Sequence, residues 1–170
     1  MLGVVWRDGP CTAYAVRREL AGSSTPRWSA SAGSIYPVLQ RLEAVGLVAA
    51  TARSWGVRGK REFAATTAGR DRLRSWVPEV GAPEAGGPAY DPIRTRVCFL
   101  AALTAVERRR FLSDAERSTR ASLAQLRREL RQAGARIQAD DFEGLSRLGS
   151  IGELEARLRW LGQVRRMLSG

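Results

Sequence analysis

This 170-residue chain has no histidine, which removes His-based catalytic triads and imidazole metal ligation together. Cysteine is nearly as scarce. Cys11 and Cys98 stand far apart and in no C-x-x-C, so a zinc site or a dithiol switch lacks its ligands, and each reads as a small buried hydrophobe. No apolar run reaches the ~18 residues of a membrane-spanning helix, and the start has no signal-peptide layout. The expectation is a cytoplasmic protein with no membrane partner. A P-loop, a dinucleotide fingerprint and a G-x-S-x-G elbow are all missing, while acids such as Glu107, Glu116, Glu129, Glu153 and Glu155 sit singly. Neither an enzyme nor a cofactor is implied. Lysine occurs only at Lys60, an arginine bias that reads as the codon usage of a high-GC genome and hence a bacterial source.

What the chain does have is positive charge. Its net charge is +11 and its pI about 11.3, which favours a polyanionic partner. Residues 1–78 hold 12 basic against 5 acidic side chains and residues 79–170 hold 16 against 12, so the N-terminal part is the more basic. Arg17, Arg18, Arg27, Arg41, Arg53, Arg58, Lys60 and Arg61 are the candidates for phosphate or base contact there, against the plainer reading of solvated surface charge.

The most informative segment runs from Ser29 to Val48. Ile35, Leu39, Leu42 and Val45, with Val38 beside them, recur every three or four residues and line one helical face. The opposite side carries Ser31, Ser34, Tyr36, Gln40 and Arg41, short hydroxyls followed by longer donors, which suits the edges of a nucleic-acid groove. Pro37 is tolerated if the helix starts near Ser34; a start near Ser31 places it deeper and implies a kink. Gly46 supplies a left-handed stop, and Leu47 and Val48 turn strand-like.

Two helices precede this one. Leu2, Val4, Val5 and Trp6 form an apolar block, Asp8-Gly9-Pro10 a turn, and Thr12 caps a helix with Ala15, Val16 and Leu20 inward. Downstream, 47–52 and 61–65 read as strands around a glycine-bearing basic tip, and Thr66 or Thr67 caps a helix that ends at Val77 before Pro78. The fold expected is mainly α with a small two-stranded β-wing: a winged helix-turn-helix over 1–78, a Pro/Gly linker over 79–92 and a C-terminal helical dimerisation arm over 93–170. In that arm Ile93, Val97, Leu100 and Leu103 mark one short helix. Thr104-x-x-Glu107 is a capping box opening a longer one through Leu112, Ala115, Thr119, Leu123, Leu126 and Leu130. Asp140 or Asp141 caps a last helix through Leu145, Leu148, Ile151, Leu154, Leu158, Leu161 and Leu168, which Gly144, Gly149 and Gly152 weaken enough to allow a break.

A seam of Leu123, Leu126, Leu130, Leu154, Leu158 and Leu161 with so little chain to cover it asks for a second copy in a two-fold homodimer. The alternative is an antiparallel hairpin packed within one chain. Of five tryptophans, Trp6, Trp28 and Trp76 fall where the N-terminal core needs bulk and Trp55 on the wing. Trp160 with Phe99 is left as the aromatic pair from which a pocket for a small aromatic or hydrophobic effector could be built.

The run from Gly33 to Val48, GSIYPVLQRLEAVGLV, resembles the recognition-helix motif of the PadR family of bacterial transcriptional regulators. Leu2-Gly3-Val4-Val5, Gly9-Pro10, Tyr14, Arg58-Gly59-Lys60-Arg61 and Thr67-Ala68-Gly69 are similar to other motifs of that family, in the same order. Asp91 to Val97 and Leu154 to Leu168 resemble the dimerising helices of part of the family. Two features depart from it: the chain begins directly at Met1-Leu2, and its wing has glycine and one lysine where many relatives carry a proline-containing basic run.

The resemblance implies a DNA-binding regulator, a repressor that blocks a promoter as a homodimer on a pseudo-palindromic operator and is released by a small-molecule effector. Ser31, Ser34, Tyr36, Gln40 and Arg41 would then face the major groove, while Arg58, Lys60 and Arg61 hold flanking phosphates of double-stranded DNA and Glu43 turns away. The rival reading is a ligand-binding or protein-interaction dimer whose winged helix no longer binds an operator.

Overall fold

The computed structural model describes residues 1–22, 32–53, 60–80, 87–88, 90–132 and 140–169. They fall into two compact units, Met1–Pro88 and Ala89–Gly170.

The first unit is a winged helix-turn-helix. Helix α1 (Leu2–Asp8) leads into a two-residue strand β1 (Cys11–Thr12), followed by α2 (Ala13–Gly22), α3 (Ala32–Ala44), β2 (Val48–Arg53), β3 (Lys60–Ala65) and α4 (Thr67–Trp76). The strands pair antiparallel in the order β1-β3-β2, with Cys11 opposite Phe63 and Val48 opposite Ala65. The expected two-stranded wing, β2 with β3, is present, and β1 adds a short third strand to its sheet. Two residues are too few to show an alternating pattern, so periodicity cannot reveal β1.

Its core is made of aliphatic side chains spaced as the sequence spaces them. Val4 and Val5 of α1, Val16 and Leu20 of α2, Ile35 and Leu39 of α3, Val48 of β2 and Phe63 of β3 form one buried cluster. Cys11 joins it, and burial, aided by the charges of Asp8 and Glu62, pushes its thiol up, so it stays protonated and packs as a hydrophobe. Trp6 and Trp76 do not supply the bulk expected of them, since both are more than half exposed. Trp6 lies about 100° around α1 from Val5, and the core closes with branched aliphatics and a single Phe. Trp28 and Trp55 lie outside the described residues.

One threonine ties the recognition segment to α4. Thr66 Oγ1 donates to the Gly46 carbonyl at 2.7 Å and accepts from the Gly69 amide at 3.0 Å, while its own amide donates to the Leu47 carbonyl at 3.1 Å. It is thus the N-cap of α4 and a clasp on the end of α3. That end is a Schellman turn: Leu47 N donates to Leu42 O and Gly46 N to Glu43 O, with Gly46 at φ +73°. A Cβ on Gly69 would overlap the Leu47 carbonyl oxygen, so the close passage of α4 beneath this turn requires glycine there.

The second unit is helical. Asp91 caps α5 (Pro92–Val97), which is followed by a 3-10 turn (Leu100–Ala102), α6 (Ala105–Gln132) and α7 (Phe142–Ser169). The single short helix expected over Ile93 to Leu103 is two pieces. Arg108 explains how the break is tolerated: its guanidinium donates to the carbonyls of Leu100 and Leu103, which a continuous helix would have satisfied itself. The capping box is present, with Glu107 accepting from the Thr104 amide and hydroxyl, both at 2.8 Å. Asp141 caps α7 through the Gly144 amide at 2.8 Å, and the helix runs unbroken past Gly149 and Gly152. Each glycine costs about 1 kcal/mol, and α7 is held by packing along α6 instead of by propensity.

Helices α6 and α7 form an antiparallel hairpin in one chain. Arg127 meets Glu155 at 2.6 Å and Arg165 meets Glu116 at 3.0 Å, while Leu112, Ala115 and Leu161 close its core with Ile93, Phe111, Trp160 and Val164 against them. Among the described residues no helix is long and apolar enough to cross a membrane.

Candidate nucleic-acid interface

Helix α3 presents two sharply different sides. Ile35 and Leu39 are fully buried and Leu42 half-buried, whereas Ser34, Tyr36, Pro37, Gln40 and Arg41 are exposed along the other side. Tyr36 is 57% exposed although it is aromatic and adjoins the buried Ile35. Among the described residues of this unit nothing covers it, so the ring and its hydroxyl face outward. The helix starts at Ala32, which places Pro37 in its second turn, where the Gly33 carbonyl loses its usual amide partner.

Four of the side chains expected to read a groove, Ser34, Tyr36, Gln40 and Arg41, thus share one exposed surface. Ser31, Arg27 and Arg58 lie outside the described residues. Lys60 opens β3, paired with Arg53 at the end of β2. The basic tip between these strands, 54–59, is not among the described residues either.

Arg61 is placed differently from its sequence expectation. Its guanidinium donates to both carboxylate oxygens of Glu43, at 2.7 and 3.0 Å, and lies 5.6 Å from the centroid of the Phe63 ring. The period of two explains this: Phe63 points into the core beneath α3, and Arg61, two residues earlier, lies on the same face of the sheet. Glu43, expected to face away from the groove and to play a structural part, is half-buried and engaged with the wing.

One exposed aromatic was not expected here. Tyr14 on α2 lies off the buried Ala13, Val16 and Leu20 face and is 63% exposed, with the Arg17 guanidinium 5.3 Å from its ring centroid. The stack holds a cation and a phenol together on the helix preceding α3. The helical spacing of Tyr14 and Arg17, three residues apart, is the signal that finds this pair.

In the second unit, Leu123 and Leu161 are buried inside their own hairpin, while Leu126, Leu130, Leu154 and Leu158 are half-buried. Leu161 is wholly covered and has no surface left for a partner. Trp160 packs on the Leu112, Ala115 and Leu161 cluster, and Phe99 stands 68% exposed, so the two aromatics do not enclose a cavity within this unit. Among the described residues no group of three or more Cys, Asp or Glu could hold a metal ion.

Residues 1–75 match the family described as Transcriptional regulator PadR-like. A comparison with curated proteins finds no match. Among solved structures, the chain is similar to Bacillus subtilis PadR in complex with operator DNA, with a TM-score of 0.83 and 20% identity over 98% of this chain and 96% of that one. It is similar also to Bacillus subtilis PadR in complex with p-coumaric acid, with a TM-score of 0.80 and 22% identity over 99% and 96%. The virulence activator AphA of Vibrio cholerae gives a TM-score of 0.70 and 21% identity over 99% and 95%. At these identities the likeness is one of fold.

Proposed function

We propose, from the match of residues 1–75 to the PadR-like transcriptional-regulator family, that this chain binds operator DNA as a homodimer and represses transcription in the cytoplasm. The observation that carries the proposal is the two-sided α3, whose Ile35 and Leu39 are sunk in the core while Ser34, Tyr36, Gln40 and Arg41 stand in solvent. A helix held by one face and exposed on the other can enter a major groove, which admits a helix and displays base edges to such donors. Tyr36 and Arg41 read or orient in the groove, and Tyr14 with Arg17 lies against the adjoining backbone, as the first helix of such a pair does.

Dimerisation follows from the helical unit. Its hairpin leaves Leu126, Leu130, Leu154 and Leu158 half-buried and Phe142, Leu145 and Leu148 exposed along the first turns of α7. A second copy of the chain is the occupant that covers such a seam by symmetry. Two recognition helices then stand one DNA turn apart, about 34–36 Å, and call for a pseudo-palindromic site.

A small aromatic acid is a reasonable class of effector, because the similar Bacillus subtilis PadR has been crystallised with p-coumaric acid. Of the two aromatics considered for it, Phe99 is exposed and could meet such a ligand, whereas Trp160 is engaged with the hairpin core.

The test is a mobility shift on the promoter upstream of the chain's own gene. Binding that weakens steeply with salt and is lost in Tyr36→Ala supports the proposal. Absence of binding at low salt supports the rival dimer that has lost its operator.

A further inference from the structure

The contact between Arg61 and Glu43 joins the wing to the last turn of α3, and its two charges cancel beside the proposed groove-reading surface. Glu43 follows Tyr36 by seven residues, two helical turns, and so lies along the same edge of α3. Its carboxylate sits near the helix C-terminus, where the macrodipole disfavours an anion, and the guanidinium at 2.7 and 3.0 Å compensates both that dipole and the charge. Arg61 is steered there twice over, by the strand parity that it shares with buried Phe63 and by its place near that ring.

We propose that Glu43 is a built-in restraint on duplex affinity: it holds Arg61 on α3 and withholds one positive charge from the DNA backbone. The inference rests on the DNA-binding reading above and refines it. Affinity for a duplex grows with the number of phosphates that cationic side chains neutralise. A phosphate approaching Arg61 meets the Glu43 carboxylate as well, because the Schellman turn fixes the end of α3. The pair presents no net charge and releases no counterion. Arg61 is a positioning residue that seats β3 against α3, and the salt dependence of binding comes from other cations.

The experiment measures duplex affinity against salt concentration for the full-length wild type, Glu43→Gln and the doubly neutral Glu43→Gln/Arg61→Gln, with thermal melts to establish that each is folded. Removing the carboxylate alone frees Arg61. Glu43→Gln is then expected to bind every duplex about fivefold to tenfold more tightly at 0.1 M salt, with a log–log slope steeper by about 0.9. The double variant removes a neutral pair and is expected to keep the wild-type slope. If Arg61 holds a phosphate in the wild type, Glu43→Gln leaves the slope unchanged and the double variant flattens it by about 0.9, which overturns the proposal. Should Glu43→Gln fail to fold, the double variant decides by the same criterion. A wild type with no salt-dependent binding at all overturns the DNA-binding reading, and this inference with it, an outcome distinct from a binding protein whose slopes move the wrong way.

Discussion

Arg157 in the middle of α7 donates to the Asp91 carboxylate at 2.7 Å, joining residues 66 apart in sequence. Asp91 also accepts from the backbone amides of Ile93 at 2.8 Å and Arg94 at 3.3 Å, so one carboxylate both caps α5 and pins its start to α7. Partial burial alone would raise the Asp91 carboxyl, but the guanidinium and the two amides outweigh it and hold the group below its ordinary value. A carboxylate depressed in the folded state stabilises that state fully above its unfolded value, near 3.9, and loses the contribution as pH falls through the folded one. Urea denaturation of the full chain from pH 7 to pH 3 is expected to show an acid loss of stability that is shallower in Asp91→Asn. At pH 7 the Asn variant is the weaker protein. Equal acid limbs in the two proteins contradict this account of the pair.

The N-cap of α4 is Thr66 and not Thr67, although the sequence offers both. Thr66→Ala removes the bond from Gly69 and the one to Gly46, so it is expected to lower stability by about 1–2 kcal/mol. Thr67→Ala, at an exposed position, is expected to fall within about 0.5 kcal/mol of wild type. Midpoints of chemical unfolding compare the two directly, and Thr66→Ser is expected to restore most of the loss.

How much of this was legible in the residues depended on the kind of signal. The Gly46 stop, the Thr104 and Glu107 box and the Asp141 cap are local, and each is present where its spacing puts it, as are Ile35, Leu39 and Leu42 of the α3 stripe; Val45, expected to continue that stripe, lies past the end of the helix and is exposed. What escaped is tertiary. Strand β1 is too short for a period, and Trp6 and Trp76 look like core bulk until the aliphatic cluster is seen to close without them. The Arg61 and Glu43 contact spans 18 residues, yet half its cause was readable. With Phe63 as the wing's core anchor, parity alone sends Arg61 toward α3. No sequence pattern separates the half-buried leucines of the helical unit from Leu161, because all recur at helical spacing and only the hairpin's closure decides which of them it covers.

Tyr36 and Leu39 lie three residues apart on α3 and separate function from stability. Leu39 is fully buried among Val5, Val16, Ile35 and Phe63, so Leu39→Ala is expected to cost about 2–5 kcal/mol and to lose duplex binding through loss of the fold. Tyr36→Ala removes a side chain that the protein does not bury and is expected to leave the unfolding midpoint nearly unchanged. Its duplex affinity is nonetheless expected to fall at least tenfold, about 1.4 kcal/mol. Melting curves and mobility shifts on the same preparations give both quantities. A Tyr36→Ala protein that melts early, or that binds as before, contradicts the assignment of this side chain to an external partner.

The apolar start of α7 provides the test of self-association. Leu145 and Leu148 are each 44% exposed and Phe142 more so, three residues apart in turn, so they run as a short stripe along α7 beyond its fully buried Leu161. Covering two leucines that are each 44% exposed beforehand contributes about 1.5–2.5 kcal/mol per copy, and placing a carboxylate there opposes association by desolvation. Leu145→Asp/Leu148→Asp is expected to sediment as a monomer at concentrations where the wild type is a dimer, with helical circular dichroism retained because Leu112, Ala115 and Leu161 are untouched. Arg128→Ala, on the exposed side of α6, serves as the control and is expected to remain dimeric. Because a lone recognition helix reads only half a site, the Asp variant should also lose most of its operator affinity while keeping its unfolding midpoint. Sedimentation that shows an unchanged dimer would remove this stripe from the interface and leave the half-buried Leu126, Leu130, Leu154 and Leu158 as the surface to test.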